Sequence, residues 1–70
     1  MPESRPMPSV GVRCHELSVV DGSRTWRIIY HVDDEAIVIL EVFQKQTRKT
    51  PDEIIEVCRR RLRKFLNESR

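Results

Sequence analysis

A chain of 70 residues makes one domain, and a domain of that size buries only about 60% of its unfolded surface. Cys14 and Cys58 lie far apart with no neighbouring cysteine, which argues against a zinc spacing or a disulfide scaffold and fits the cytoplasm. No apolar run approaches the roughly 20 residues of a membrane span, and the proline-rich, polar start is no signal peptide. The net charge is +2, with four basic and seven acidic residues in positions 1–44 and nine basic and four acidic in positions 45–70. Positive charge gathered at one end suits nucleic acid or another acidic partner, or else a solvated helix face.

Residues 1–11 hold Pro2, Pro6 and Pro8 and no apolar period, so they read as an extended tail. The domain then occupies residues 12–68. Residues 12–20 and 24–32 are predicted strands joined at Asp21-Gly22, a strong type I′ hairpin signal. A two-residue loop there sets Glu16 opposite Arg27, Leu17 opposite Trp26 and Arg13 opposite Tyr30. Residues 36–43 are rich in β-branched side chains and read as a third strand. A three-residue turn before it sets Tyr30 opposite Val38 and Arg27 opposite Glu41. This register gives a core face of Leu17, Trp26, Ile28, Tyr30, Val32, Val38, Leu40 and Val42. The other face carries a Glu16–Arg27–Glu41 ladder flanked by Ile29, Ile37, Ile39 and Phe43.

A helix follows. Thr50-Pro51-Asp52-Glu53 offers a capping threonine, proline at the first helical position and glutamate at the third. Ile54, Ile55, Cys58, Leu62, Phe65 and Leu66 recur at three- and four-residue spacing and form a buried stripe. Cys58 on that stripe is a small core residue. Arg59, Arg60, Arg63 and Lys64 fall mostly off it. The expected fold class is α+β, a three-stranded antiparallel β-meander plus a C-terminal amphipathic helix. One helix stripe cannot cover both sheet faces, so the pattern predicts an exposed apolar patch and a homodimer in solution.

The connection Phe43-Gln44-Lys45-Gln46-Thr47-Arg48-Lys49-Thr50-Pro51 crowds cations, hydroxyls and amides next to a helix N-terminus, a setting that suits phosphate. Arg13, Arg24 and Arg27 can add guanidinium forks. Tyr30, Phe43 or His15 can stack on a base. A polar loop with lysines is also an ordinary connection. His15 and His31 have no ligand-like neighbours at metal spacing, and neither a glycine-rich phosphate loop nor a serine–histidine–acid signature is present. No metal and no cofactor is therefore expected.

The ordered run His15-Glu16-Leu17, Asp21-Gly22, Trp26-Arg27-Ile28-Ile29-Tyr30, Ile37-Val38-Ile39-Leu40-Glu41-Val42-Phe43-Gln44-Lys45 and Thr47-Arg48-Lys49-Thr50-Pro51 resembles the phage-derived HigB-type branch of the RelE/ParE toxin superfamily. The likeness spans roughly residues 6–66, and the Phe43-Gln44-Lys45 to Thr50-Pro51 segment is its most specific part. That family places a first strand and a helical hairpin ahead of the segment Arg5-Pro6-Met7-Pro8, so the resemblance implies an N-terminally shortened member with a RelE-like core. The family often has two consecutive lysines where this chain has Lys45-Gln46.

The resemblance implies a toxin encoded beside a cognate antitoxin, cleaving mRNA at the ribosome through a basic groove and without a metal, in the cytoplasm. It points to Arg27, Lys45 and Tyr30 as catalytic residues and to Arg13, Phe43, Lys49 and Arg60 as RNA contacts. Arg27 and Lys45 would neutralise charge on the phosphorane. The general base stays open among His15, Glu16 and Tyr30. Arg27 and Tyr30 fall on opposite faces of an ideal strand, so one groove holds both only with a sharp twist or a bulge. Two alternatives stand beside this reading. One is a toxin-like remnant that binds RNA or protein without cutting, and the other is a ParE-like gyrase inhibitor on the same fold.

Overall fold

The computed structural model describes residues 3–46 and 48–68. Four antiparallel strands form one sheet in the order β1-β2-β3-β4: β1 Glu3–Pro6, β2 Cys14–Asp21, β3 Arg24–Val32 and β4 Ile37–Gln44. The helix α1, Asp52–Glu68, packs on one face. The class is α+β as expected, with four strands in place of three. Among the described residues α1 is the one helix, and it is not long and apolar enough to cross a membrane.

The additional strand comes from the expected tail, of which Met1 and Pro2 lie outside the described residues. Glu3–Pro6 pairs with β2, Ser4 opposite Leu17 and Pro6 opposite His15. A proline is compatible with this position because an edge strand does not need every N–H. Beyond it the Met7 N–H donates to the Cys14 carbonyl at 2.8 Å, and Met7 and Val10 are buried in the core. Arg13 takes a left-handed φ of 58° as the chain enters β2.

The β2–β3 turn is Gly22-Ser23, with Asp21 opposite Arg24. Gly22 has φ 62° and Ser23 does not share the positive region, as a type II′ turn requires. This moves the pairing by two residues, which keeps each side chain on its face but changes its partner. Glu16 is opposite Ile29, Ser18 opposite Arg27 and His15 opposite Tyr30. Between β3 and β4 the turn spans residues 33–36, closed by Asp33 N–H to the Ala36 carbonyl at 2.8 Å. Tyr30 then pairs with Ile39 and Ile29 with Glu41, so Leu40 is the additional residue of a bulge, and Arg27 sits opposite Phe43.

The helix covers the face opposite to the one expected. Its core is Met7, Val10, Cys14, Ile29, Leu40, Cys58 and Leu62, with Val38, Phe43, Ile54 and Ile55 packed against it. Leu17, Trp26, Ile28 and Tyr30 are only half-buried on the outer face. Ile37, Ile39 and Val42 are exposed. Alternation in β3 points to the side of Trp26, Ile28, Tyr30 and Val32, yet the helix packs on the side of Arg27, Ile29 and His31, all three buried, so alternation alone does not select the core side. The charged residues on the chosen side, Glu16 and Arg27, pair with each other. The bulge at Leu40 brings both Leu40 and Phe43 to the helix side. In α1 the expected stripe holds except at Leu66, which is 38% exposed. The expected ladder is split. Glu16 pairs with Arg27, whereas Glu41 pairs with Arg61 of the helix at 3.4 Å.

Candidate nucleic-acid interface

Arg27 lies in the middle of β3 with its side chain 7% exposed. Its Nη1 donates to Glu16 Oε1 across the sheet. The same oxygen accepts from Arg5 of β1, through Nη2 at 3.1 Å and Nε at 3.3 Å. Glu16 Oε2 accepts from the Thr50 hydroxyl at 2.7 Å. One fully buried carboxylate thus gathers groups from β1, β3 and the connection into α1. Burying a charge is costly unless it is paired and hydrogen-bonded, and this set meets that requirement. One donor is left over: Arg27 Nε is buried and has no partner.

The sequence pattern makes Thr50 the cap of α1, but its hydroxyl donates to Glu16 instead. The helix starts one residue later, and the Pro51 carbonyl accepts from Ile54 and Ile55. The Thr50-Pro51 pair therefore locks the incoming loop onto the sheet, close to Arg27.

Two adjoining hollows share Arg27. The first, about 270 Å³, is lined by Arg27, Phe43, Gln44, Gln46, Lys49, Thr50, Pro51 and Ile54. The second, about 400 Å³, is lined by Arg5, Ser18, Val20, Thr25, Arg27 and Lys45. Lys45 is held there because its N–H donates to the Thr25 carbonyl at 2.7 Å, continuing the β4 ladder. Together they form a groove on the helix side of the sheet, past the N-terminal end of α1. Arg5, Arg27, Lys45 and Lys49 line it, and the Glu16 carboxylate lies behind its wall. Such a surface attracts anions, and its guanidinium groups match phosphate oxygens bidentately.

Of the residues expected at a site, the structure brings together Arg27, Lys45, Phe43 and Lys49. Tyr30 is on the outer face, stacked on His15 with ring centroids 5.5 Å apart and bonded to the Ser4 hydroxyl at 2.8 Å. The bulge lies in β4 and does not turn Tyr30 toward Arg27. Arg13 is at the far end of the sheet, paired with Asp34 at 3.0 Å. Arg60 is exposed on α1 and lines neither hollow. Thr47, part of the expected loop, lies outside the described residues. Of the three candidate bases, His15 and Tyr30 face away from the groove, and Glu16 is enclosed by its partners. Arg5 was not expected, since its proline-rich surroundings gave no sign of a strand.

Among the described residues no three His, Cys, Asp or Glu side chains cluster as metal ligands. Both cysteines are buried. Burial raises the Cys14 thiol and, with the nearby Glu41 carboxylate, pushes Cys58 up to about 11, so neither resembles a reactive thiol.

A family model described as Phage derived protein Gp49-like (DUF891) matches residues 2–63. No curated protein and no solved structure matches the chain.

Proposed function

This chain belongs to the phage-derived Gp49-like family, a HigB/RelE-like toxin family, and from that premise we propose that it is the toxin of a type II toxin–antitoxin pair, cutting mRNA at the ribosome through the groove around Arg27. One observation supports this most: Arg5, Arg27, Lys45 and Lys49 converge on two hollows that share Arg27. In the reaction the RNA 2′-oxygen attacks the adjacent phosphorus and the bond to the 5′-oxygen breaks. The proton lost from the 2′-hydroxyl is balanced by one gained at the 5′-oxygen, giving a 2′,3′-cyclic phosphate and a 5′-hydroxyl. Arg27 and Lys45 neutralise the charge that builds on the phosphorane, and one such preorganised group is worth about 10²–10³ in rate. Phe43 offers a face for an adjacent base, and Lys49 holds a neighbouring phosphate. The cognate antitoxin, and a second copy of the chain in its absence, would cover the exposed outer sheet face.

A second reading, RNA binding without cutting, is favoured by the placement of His15 and Tyr30 on the outer face and by the enclosure of Glu16 among its partners. The test is induced expression with mapping of cellular mRNA 5′ ends. The toxin reading predicts growth arrest with new 5′ ends inside translated frames, both lost in Arg27→Ala and Lys45→Ala. Arrest without new ends favours the binding reading, or a gyrase inhibitor if supercoiling changes. Unimpaired growth would overturn the toxin reading.

A further inference from the structure

Resting on that groove, we infer that Glu16 is the positioning residue for Arg27, fixing its guanidinium so that one edge is presented to a phosphodiester. The Glu16 side chain is fully buried, out of reach of substrate. Its two oxygens nevertheless bind both sides of the groove. Oε1 holds Arg27, common to the two hollows, and Arg5, which lines the second. Oε2 holds Thr50, which lines the first.

A guanidinium has an end edge and a side edge. Glu16 engages Arg27 at Nη1, which leaves the side edge made by Nε and Nη2. Nε is the buried donor without a partner. A phosphate oxygen meets that demand, and the two parallel donors of such an edge fit two phosphate oxygens. The charges also fit the role. One carboxylate between Arg27 and Arg5 leaves the cluster positive, so it orients Arg27 without cancelling the attraction for phosphate. Replacing a buried ion pair by apolar side chains is often neutral or stabilising, so stability alone is a weak reason for this one.

The test turns on a sign. Glu16→Gln keeps the shape and removes a negative charge beside the groove. Coulomb attraction alone then predicts tighter RNA binding; a lost anchor predicts weaker binding. The probe is a fluorescein-labelled single-stranded 2′-O-methyl RNA, which cannot undergo the 2′-oxygen attack, read by anisotropy at fixed salt with the fold checked by circular dichroism. We expect Glu16→Gln to bind about tenfold or more weakly, a loss comparable to one charge-assisted hydrogen bond, and Arg27→Met at least as weakly. If Arg27→Met is weak while Glu16→Gln equals or exceeds wild type, the groove stands and the positioning role falls. If wild type and Arg27→Met bind alike, the groove reading itself fails, and this inference with it. Should Glu16→Gln not fold, the wild-type Arg27 Nε–H resonance decides. An anchored guanidinium gives a slowly exchanging signal that shifts on adding the RNA, and a freely exchanging, unshifted one overturns the inference.

Discussion

Replacing Thr50 by Asp separates two accounts of this residue. If Thr50 were the helix cap that the Thr50-Pro51-Asp52-Glu53 pattern suggests, aspartate would substitute well, being among the best capping residues. In the structure the hydroxyl donates to a fully buried carboxylate oxygen at 2.7 Å, and Thr50 itself is 6% exposed. Aspartate there sets a second carboxylate against Glu16. Thr50→Val removes the donor and leaves Glu16 Oε2 without it, a loss of about 1.5–3 kcal/mol for a hydrogen bond to a charged group. A domain of 70 residues has about 4–10 kcal/mol in all. At roughly 4–8 °C per kcal/mol for this size, Thr50→Val should melt roughly 6–24 °C below wild type. Thr50→Asp should melt lower still, and Thr50→Ser, which keeps the hydroxyl, should stay close to wild type. Thermal and urea unfolding followed by circular dichroism give the ranking. An Asp variant as stable as wild type would return Thr50 to a capping role and remove one of the three anchors of Glu16.

Tyr30→Phe and Arg13→Ala should keep growth arrest at full strength, because both side chains lie outside the groove; the Arg13–Asp34 pair is exposed and contributes at most about 1 kcal/mol. Loss of arrest from Tyr30→Phe without loss of fold would mean that the outer face takes part. Cys14 and Cys58 should resist iodoacetamide while folded and react in denaturant. Because folding raises the Cys58 pKa from 9.0 to about 11, the fold retains its proton where the unfolded chain loses it. The contribution is therefore complete below 9 and declines as pH rises toward about 11, an alkaline loss that Cys58→Ala should reduce in a urea series. Ile37, Ile39 and Val42 are 64%, 56% and 49% exposed on one face, so the wild type should sediment as a dimer at micromolar concentration and Ile39→Lys as a monomer. A monomeric wild type would show that this face needs no partner.

What was legible in the sequence follows from where patterns are redundant. The helix carries both a start signal and a repeating stripe, and Cys58 and Leu62 are buried as that stripe requires. The loop cations Lys45 and Lys49 were legible because the chain leaves β4 and enters α1 within a few residues, which confines them beside Arg27. The core side of the sheet was not legible. Alternation in β3 favours the side of Trp26, Ile28 and Tyr30, whereas the core forms on the side where Ile29 sits between Arg27 and His31, helped by a bulge at Leu40 that no local residue announces. Arg5 was hidden because Pro6 and Pro8 suppress the strand signal. From the sequence alone Glu16 reads as a base or a ladder rung. Its part as a shared acceptor depends on Thr50, distant in sequence, coming back to the sheet.

The central claim, that RNA engages the groove around Arg27, is tested most directly by titrating a single-stranded 2′-O-methyl RNA into isotope-labelled protein and following resonances by NMR. The account predicts shifts confined to Arg5, Arg27, Phe43, Lys45, Lys49 and Thr50, with the outer-face signals of Trp26, Tyr30 and Ile39 unmoved. Shifts centred on that outer face, with Arg27 and Lys45 unaffected, would contradict it.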